Sequence, residues 1–131
     1  MACDIQSKPI NAEILIAEDS PTQAEKLRYL LEEDGYSVIA VANGKEALAA
    51  AWRHKPTLIV SDVMMPEMDG YETTQKIRRE HKNTKLPIIA VTAKAMKGDR
   101  EKCLSAGMSD YVSKPVNIEQ LLSLMRVWLY R

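Results

Sequence analysis

The sequence predicts one α/β domain, (βα)5, with a doubly wound sheet of five parallel strands and five helices. Two observations carry this. Five short apolar runs alternate with five helix-length amphipathic segments. The runs are rich in β-branched residues and nearly continuous, as in strands covered on both faces of a parallel sheet. A βα unit repeated in this way implies right-handed crossovers within one sheet. The length of 131 residues suits a single domain with one real core.

The first run, Ile14-Leu15-Ile16-Ala17, is followed by Ser20-Pro21-Thr22-Gln23. That stretch offers an N-cap, a proline at the first helical position and a capping-box partner. Gly35 stands where this helix should stop, as left-handed C-terminal residues do. The second run, Val38-Ile39-Ala40-Val41, leads into the cap Asn43-Gly44-Lys45-Glu46. Leu58-Ile59-Val60 and Ile88-Ile89-Ala90-Val91 are the third and fourth runs. Tyr111-Val112 is a weaker fifth, with Gly107 as the helix stop before it. Asn117-Ile118-Glu119-Gln120 caps the last helix.

In that last helix Ile118, Leu121, Leu122, Met125 and Leu129 form one stripe that should face the core. Leu124 and Trp128 flank the stripe, and Val127 points nearly opposite. The extra apolar edge reads equally as a homodimer or partner contact and as the margin of a broad core face. Residues 1–12 are expected to be a flexible leader before a domain over 13–131. The last helix runs to the end at Arg131, so no output domain is expected after it.

Composition removes several function classes. Lys and Arg total 18, Asp and Glu total 18, and the formal net charge is zero. A nucleic-acid binder needs a basic stripe to displace counterions, so direct nucleic-acid contact is not expected. No apolar run approaches the roughly 20 residues that span a bilayer. MACDIQSKPINA at the N-terminus lacks a signal peptide's apolar stretch, and the cytoplasm is the expected location. Cys3 and Cys103 form no metal-ligand or disulfide pattern, and His54 and His81 read as surface residues.

Ligands of open α/β sheets bind at the carboxyl ends of the strands. The residues there are Glu18-Asp19 after the first run, Asp62 after the third, Thr92 after the fourth and Ser113-Lys114-Pro115 after the fifth. Three carboxylates in one place repel unless a cation is present. Hard oxygen ligands favour Mg²⁺, commonly with phosphoryl oxygens in the same shell. A lysine and a hydroxyl suit the oxygens of a transferring phosphoryl group, and a carboxylate nucleophile would form an aspartyl phosphate. Taken singly, each residue has a plainer reading. Glu18 and Asp19 could complement a helix dipole, Asp62 could form a turn, Thr92 could be a strand residue and Lys114 a solvated charge. Their placement at the same end of successive strands weakens those readings.

These stretches resemble response-regulator receiver domains over about residues 12–131. The resemblance is carried by Ile14-Leu15-Ile16-Ala17-Glu18-Asp19-Ser20 and by Ser61-Asp62-Val63-Met64-Met65-Pro66-Glu67-Met68-Asp69-Gly70. It continues in Ile88-Ile89-Ala90-Val91-Thr92-Ala93 and in Ala106-Gly107-Met108-Ser109-Asp110-Tyr111-Val112-Ser113-Lys114-Pro115. It implies the flavodoxin-like strand order 2-1-3-4-5, and it is similar to chemotaxis regulators and to receivers of hybrid histidine kinases. Asp62 matches the phosphoacceptor. Glu18, Asp19, Asp62 and the Met64 carbonyl match the Mg²⁺ ligands, with Asp19 the direct acid of the pair and Glu18 the water-mediated one. Glu18 departs from the commoner Asp. Thr92 matches the switch hydroxyl, Tyr111 the aromatic that moves with it, and Lys114 the lysine on phosphoryl oxygen, before an expected cis Pro115. Met64 and Lys94 match the positions that tune phosphoryl lifetime, with opposing effects that leave the lifetime open.

The resemblance also implies a sensor histidine kinase or histidine phosphotransfer protein as donor. The output partner would read Tyr111 and the fourth-helix and fifth-helix face. Autodephosphorylation would be the chain's own chemistry, with no separate enzyme activity. The chain could be a stand-alone shuttle or a module of a longer kinase. Three other readings remain. A flavin binder predicts a phosphate-cradling loop and aromatics where this loop is acidic. A phosphohydrolase working through an aspartyl phosphate predicts an Asp-x-Asp pattern after the first strand, which Glu18-Asp19-Ser20 does not supply. A phosphorylation-independent scaffold predicts lost chemical positions, whereas here all are filled.

Overall fold

A computed structural model describes residues 12–65, 68–81, 86–92 and 97–130. Residues 1–11 of the expected leader, and Lys94, lie outside them. The elements are β1 (Glu13–Ala17), α1 (Pro21–Glu33), β2 (Ser37–Val41), α2 (Gly44–His54) and β3 (Leu58–Asp62). They continue with α3 (Gly70–His81), β4 (Ile88–Thr92), α4 (Lys97–Ser105), β5 (Asp110–Ser113) and α5 (Ile118–Leu129). All strand pairs are parallel and the sheet order is β2-β1-β3-β4-β5.

Each strand divides its side chains between two cores. Ile14, Ile16, Leu58, Val60, Ile89 and Val91 face one cluster with Leu31 of α1 and Leu121 and Met125 of α5. Leu15, Ile59, Ile88 and Ala90 face the other, with Ala50 and Ala51 of α2, Ile77 of α3 and Cys103 of α4. This two-sided burial is why the runs are continuous rather than alternating. Each large aliphatic side chain so buried contributes about 1.5–3 kcal/mol.

The caps follow the sequence with one exchange. Ser20 Oγ accepts the Gln23 N–H at 3.4 Å, but the Ser20 N–H goes to Glu18 Oε2 at 3.1 Å. Thus Glu18 performs the reciprocal half of the box expected from Gln23. Asn43 and Asn117 cap α2 and α5 through the N–H groups of Glu46 and Gln120. Gly35 and Gly107 have φ of 100° and 103°, as their placement after helices predicts. Lys55 takes the left-handed position after α2 without being glycine (φ 50°).

Three further points refine the sequence reading. Ala12, the last residue of the expected leader, is buried and its carbonyl accepts the Ser37 N–H at 3.2 Å, so it packs as part of the domain. β3 runs two residues past the apolar run because Ser61 and Asp62 pair with Ala90 and Val91. On α5, Leu124 and Trp128 pack against the first core cluster, and Trp128 Nε1 donates to Asp110 Oδ2 at 3.3 Å. The flanking edge is therefore core margin, while Val127 is exposed. Cys103 is buried, with its Sγ 4.0 Å from the Tyr71 hydroxyl, and His54 is exposed.

Candidate functional site

Because the strands are parallel, their carboxyl ends share one rim. Backbone bonds carry the register just beyond it. Glu18 N–H donates to the Val41 carbonyl at 3.0 Å, Val63 N–H to that of Val91 at 3.0 Å, and Lys114 N–H to that of Thr92 at 2.8 Å. The side chains at this edge are thus set by the sheet rather than by loose loops.

Glu18, Asp19 and Asp62 each bring a carboxylate oxygen to within 4.8 Å of the others. Glu18 and Asp62 are buried, at 7% and 4% exposure, while Asp19 is exposed. Lys114 Nζ lies 2.9 Å from Asp62 Oδ2 and 3.5 Å from Glu18 Oε1. The other Asp62 oxygen, Oδ1, accepts the Met64 N–H at 3.2 Å. Met64 itself is 71% exposed. Thr92 is buried at the end of β4. Tyr111 is half-buried against the second core cluster, and the Lys114–Pro115 peptide is cis. The rim thus unites every predicted site residue except Tyr111, which lies on β5 against the core, and Lys94, which is outside the described residues.

Burial pushes the Glu18 carboxyl above its ordinary value of 4.5. The Ser20 N–H opposes this, the Asp62 charge adds to it, and Lys114 partly counters it. Burial pulls Lys114 down, but its hydrogen bond to Asp62 and the charges of Asp62 and Glu18 outweigh that and hold it above 10.5. From pH 4.5 up to Glu18's raised value, the folded state keeps a proton that the unfolded state has released. Metal-free stability therefore falls as pH rises through that window. Glu18→Gln is expected to flatten this slope and to raise the metal-free Tm at pH 7 by a few degrees. About 1 kcal/mol produces such a shift in a domain of this length. Thermal melts between pH 4.5 and 8 in chelator check it, and an unchanged slope would remove Glu18 as its source.

Three carboxylates faced by one ammonium leave an excess of negative charge among hard oxygen donors. That donor set fits a small divalent cation such as Mg²⁺. A cavity of about 510 Å³ opens beside it between α1 and the segment after β5, with Lys26, Leu27 and Val116 in its walls and Asp62 and Lys114 at its edge.

The family model for the response regulator receiver domain matches residues 14–126. The chain belongs to the response-regulator receiver domain family. Among curated relatives, the polar-differentiation response regulator DivK of Brucella anthropi is 37% identical over 116 residues, covering 88% of this chain and 94% of DivK. A signal receiver domain of a histidine kinase from Syntrophus aciditrophicus superposes with a TM-score of 0.83 at 40% identity, covering 91% of this chain and 90% of that one. The receiver domain of sensor histidine kinase PA1611 from Pseudomonas aeruginosa gives 0.85 at 39%, covering 92% and 99%. That structure has a magnesium ion coordinated in its active-site cleft. The receiver fold and the strand order 2-1-3-4-5 are those expected from sequence.

One positioning residue escaped the sequence reading. A Cβ on Gly70 would stand 2.5 Å from the Asp62 carbonyl oxygen and 3.0 Å from Val63 Cα, and the Gly70 N–H donates to the Val63 carbonyl at 2.9 Å. The start of α3 thus presses on the backbone that carries Asp62. Asp69, whose Oδ1 accepts the Glu72 N–H at 2.9 Å, caps the same turn. The Asp69-Gly70 dipeptide is a turn signal, but its close approach to Asp62 is a tertiary fact.

Proposed function

We propose that this receiver accepts a phosphoryl group on Asp62 from a phosphohistidine of a sensor kinase or phosphotransfer protein. The observation that carries the reading is the Lys114–Asp62 contact of 2.9 Å inside the converging triad of Glu18, Asp19 and Asp62. Those three carboxylates, with the Met64 carbonyl, would hold Mg²⁺. When bound, the ion would supply positive charge for the phosphoryl oxygens.

An Asp62 carboxylate oxygen forms the new bond to phosphorus. The bond from phosphorus to the histidine nitrogen breaks, and that nitrogen keeps the electron pair. Lys114 holds a phosphoryl oxygen and offsets charge as it leaves the donor. Thr92 turns its hydroxyl toward the product, and Tyr111 follows inward, shifting the population toward a surface around α4 and α5 that an output partner reads. Attack by water on the acyl phosphate resets Asp62, and no other turnover is assigned. Since histidine kinases draw on ATP, the cytoplasm is the proposed location.

Intact-protein mass after incubation with Mg²⁺ and acetyl phosphate tests this. The expected result is a gain of one phosphoryl group that requires Mg²⁺ and is absent in Asp62→Asn. A gain that survives Asp62→Asn would move the acceptor elsewhere. A folded, Mg²⁺-binding protein that takes no phosphoryl from either acetyl phosphate or a phosphohistidine donor would favour the scaffold reading.

A further inference from the structure

The thioethers of this chain differ sharply in exposure. Among the described residues, Met65, Met68, Met108 and Met125 are between 0% and 9% exposed, whereas Met64 is 71% exposed. Its backbone is tied to the acceptor carboxylate, because the Met64 N–H donates to Asp62 Oδ1 at 3.2 Å. Thus the accessible sulfur hangs on a three-torsion side chain whose Cα is anchored beside the reacting group. Oxidation of methionine follows exposure, and it turns a flexible apolar side chain into a polar one.

We propose that Met64 is an oxidation site that sets the lifetime of the phosphorylated state. The inference rests on the aspartyl-phosphate reading above. The oxidant class is a peroxide. One peroxide oxygen forms the bond to sulfur, the O–O bond breaks, and the other oxygen leaves as water. The thioether loses two electrons and the peroxide gains them. The product carries a strong hydrogen-bond acceptor at the rim, where the reduced side chain offers a weak one. An acceptor there orients a water for attack on phosphorus, the role a carboxamide plays in phosphoryl hydrolysis elsewhere. Oxidation therefore shortens the signal, and a methionine sulfoxide reductase restores it.

The test uses the full chain, treated with hydrogen peroxide, quenched with catalase and mapped for sulfoxide by peptide mass. It is then phosphorylated with acetyl phosphate and Mg²⁺, and loss of the phosphoryl group is followed by intact mass. The oxidised wild-type protein is expected to dephosphorylate about two- to ten-fold faster than the untreated one, the effect of one hydrogen bond gained in the transition state. Met64→Leu, which cannot be oxidised at this position, should show the same decay with and without peroxide. Met64→Gln, which places a carbonyl oxygen at similar reach, should show the fast decay without peroxide. Sulfoxide reductase should return the oxidised protein to the slow rate. Equal rates for oxidised and untreated wild type, or the same acceleration in Met64→Leu, would overturn the proposal. Failure of every form to take up a phosphoryl group would instead overturn the aspartyl-phosphate reading on which it rests.

Discussion

Lys114→Ala is expected to slow phosphoryl uptake from acetyl phosphate by about 10²–10³-fold, the usual cost of deleting one preorganised donor at a developing charge. Its ammonium touches both buried acids, at 2.9 Å from Asp62 and 3.5 Å from Glu18, so no other described group replaces it at that point. The same change costs up to about 3 kcal/mol of metal-free stability at neutral pH. Glu18 softens the loss, since its carboxyl already favours the protonated form more than an exposed one does. Rates from intact mass at saturating Mg²⁺, with urea melts in parallel, separate the two effects. A Lys114→Ala protein that is destabilised but transfers at the wild-type rate would make Lys114 a purely structural counter-ion.

Gly70→Ala is expected to reduce uptake by up to about 10²-fold while the protein still folds, since misplacing a reacting group by an ångström has that effect. The added Cβ would meet only backbone, the Asp62 carbonyl at 2.5 Å and Val63 Cα at 3.0 Å, and backbone at a strand end yields less readily than a flexible side chain. Overpacking adds a stability loss of about 1–3 kcal/mol. Gly35→Ala is the control. Gly35 follows α1 with φ 100°, so alanine there is strained and destabilising, yet it should leave the rate per folded molecule unchanged. If both variants lose stability and neither loses rate, Gly70 does not position Asp62.

Local chemistry explains what could be read without coordinates. A β-branched run is apolar on both faces only when both faces are covered, so Ile14–Ala17 and Ile88–Val91 announced a doubly wound sheet. Ser20, Asn43 and Asn117 announced helix starts because cap bonds span three residues. Glu18, Asp19, Asp62, Thr92 and Lys114 were legible as a group because parallel strands send all their carboxyl ends to one rim.

Other features depend on partners distant in sequence. Arg78 on α3 is half-buried, and its guanidinium donates to the carbonyls of Leu86 and Gly107. It thus joins α3 to the connections flanking β4 and β5. Trp128 and Leu124 could be interface or core by spacing alone. The core reading holds because both side chains pack against the first cluster and the Trp128 indole donates to Asp110. The second half of the α1 capping box went to Glu18 rather than Gln23 because the carboxylate that leaves β1 already lies beside the Ser20 N–H. The sequence by itself determined the architecture and the chemical inventory of the rim, since both follow from periodicity and from local bonds. Only the tertiary structure decided which oxygen meets Lys114, how closely Gly70 crowds Asp62 and which of the described thioethers stays exposed, because those depend on distances between chain segments that no local pattern encodes.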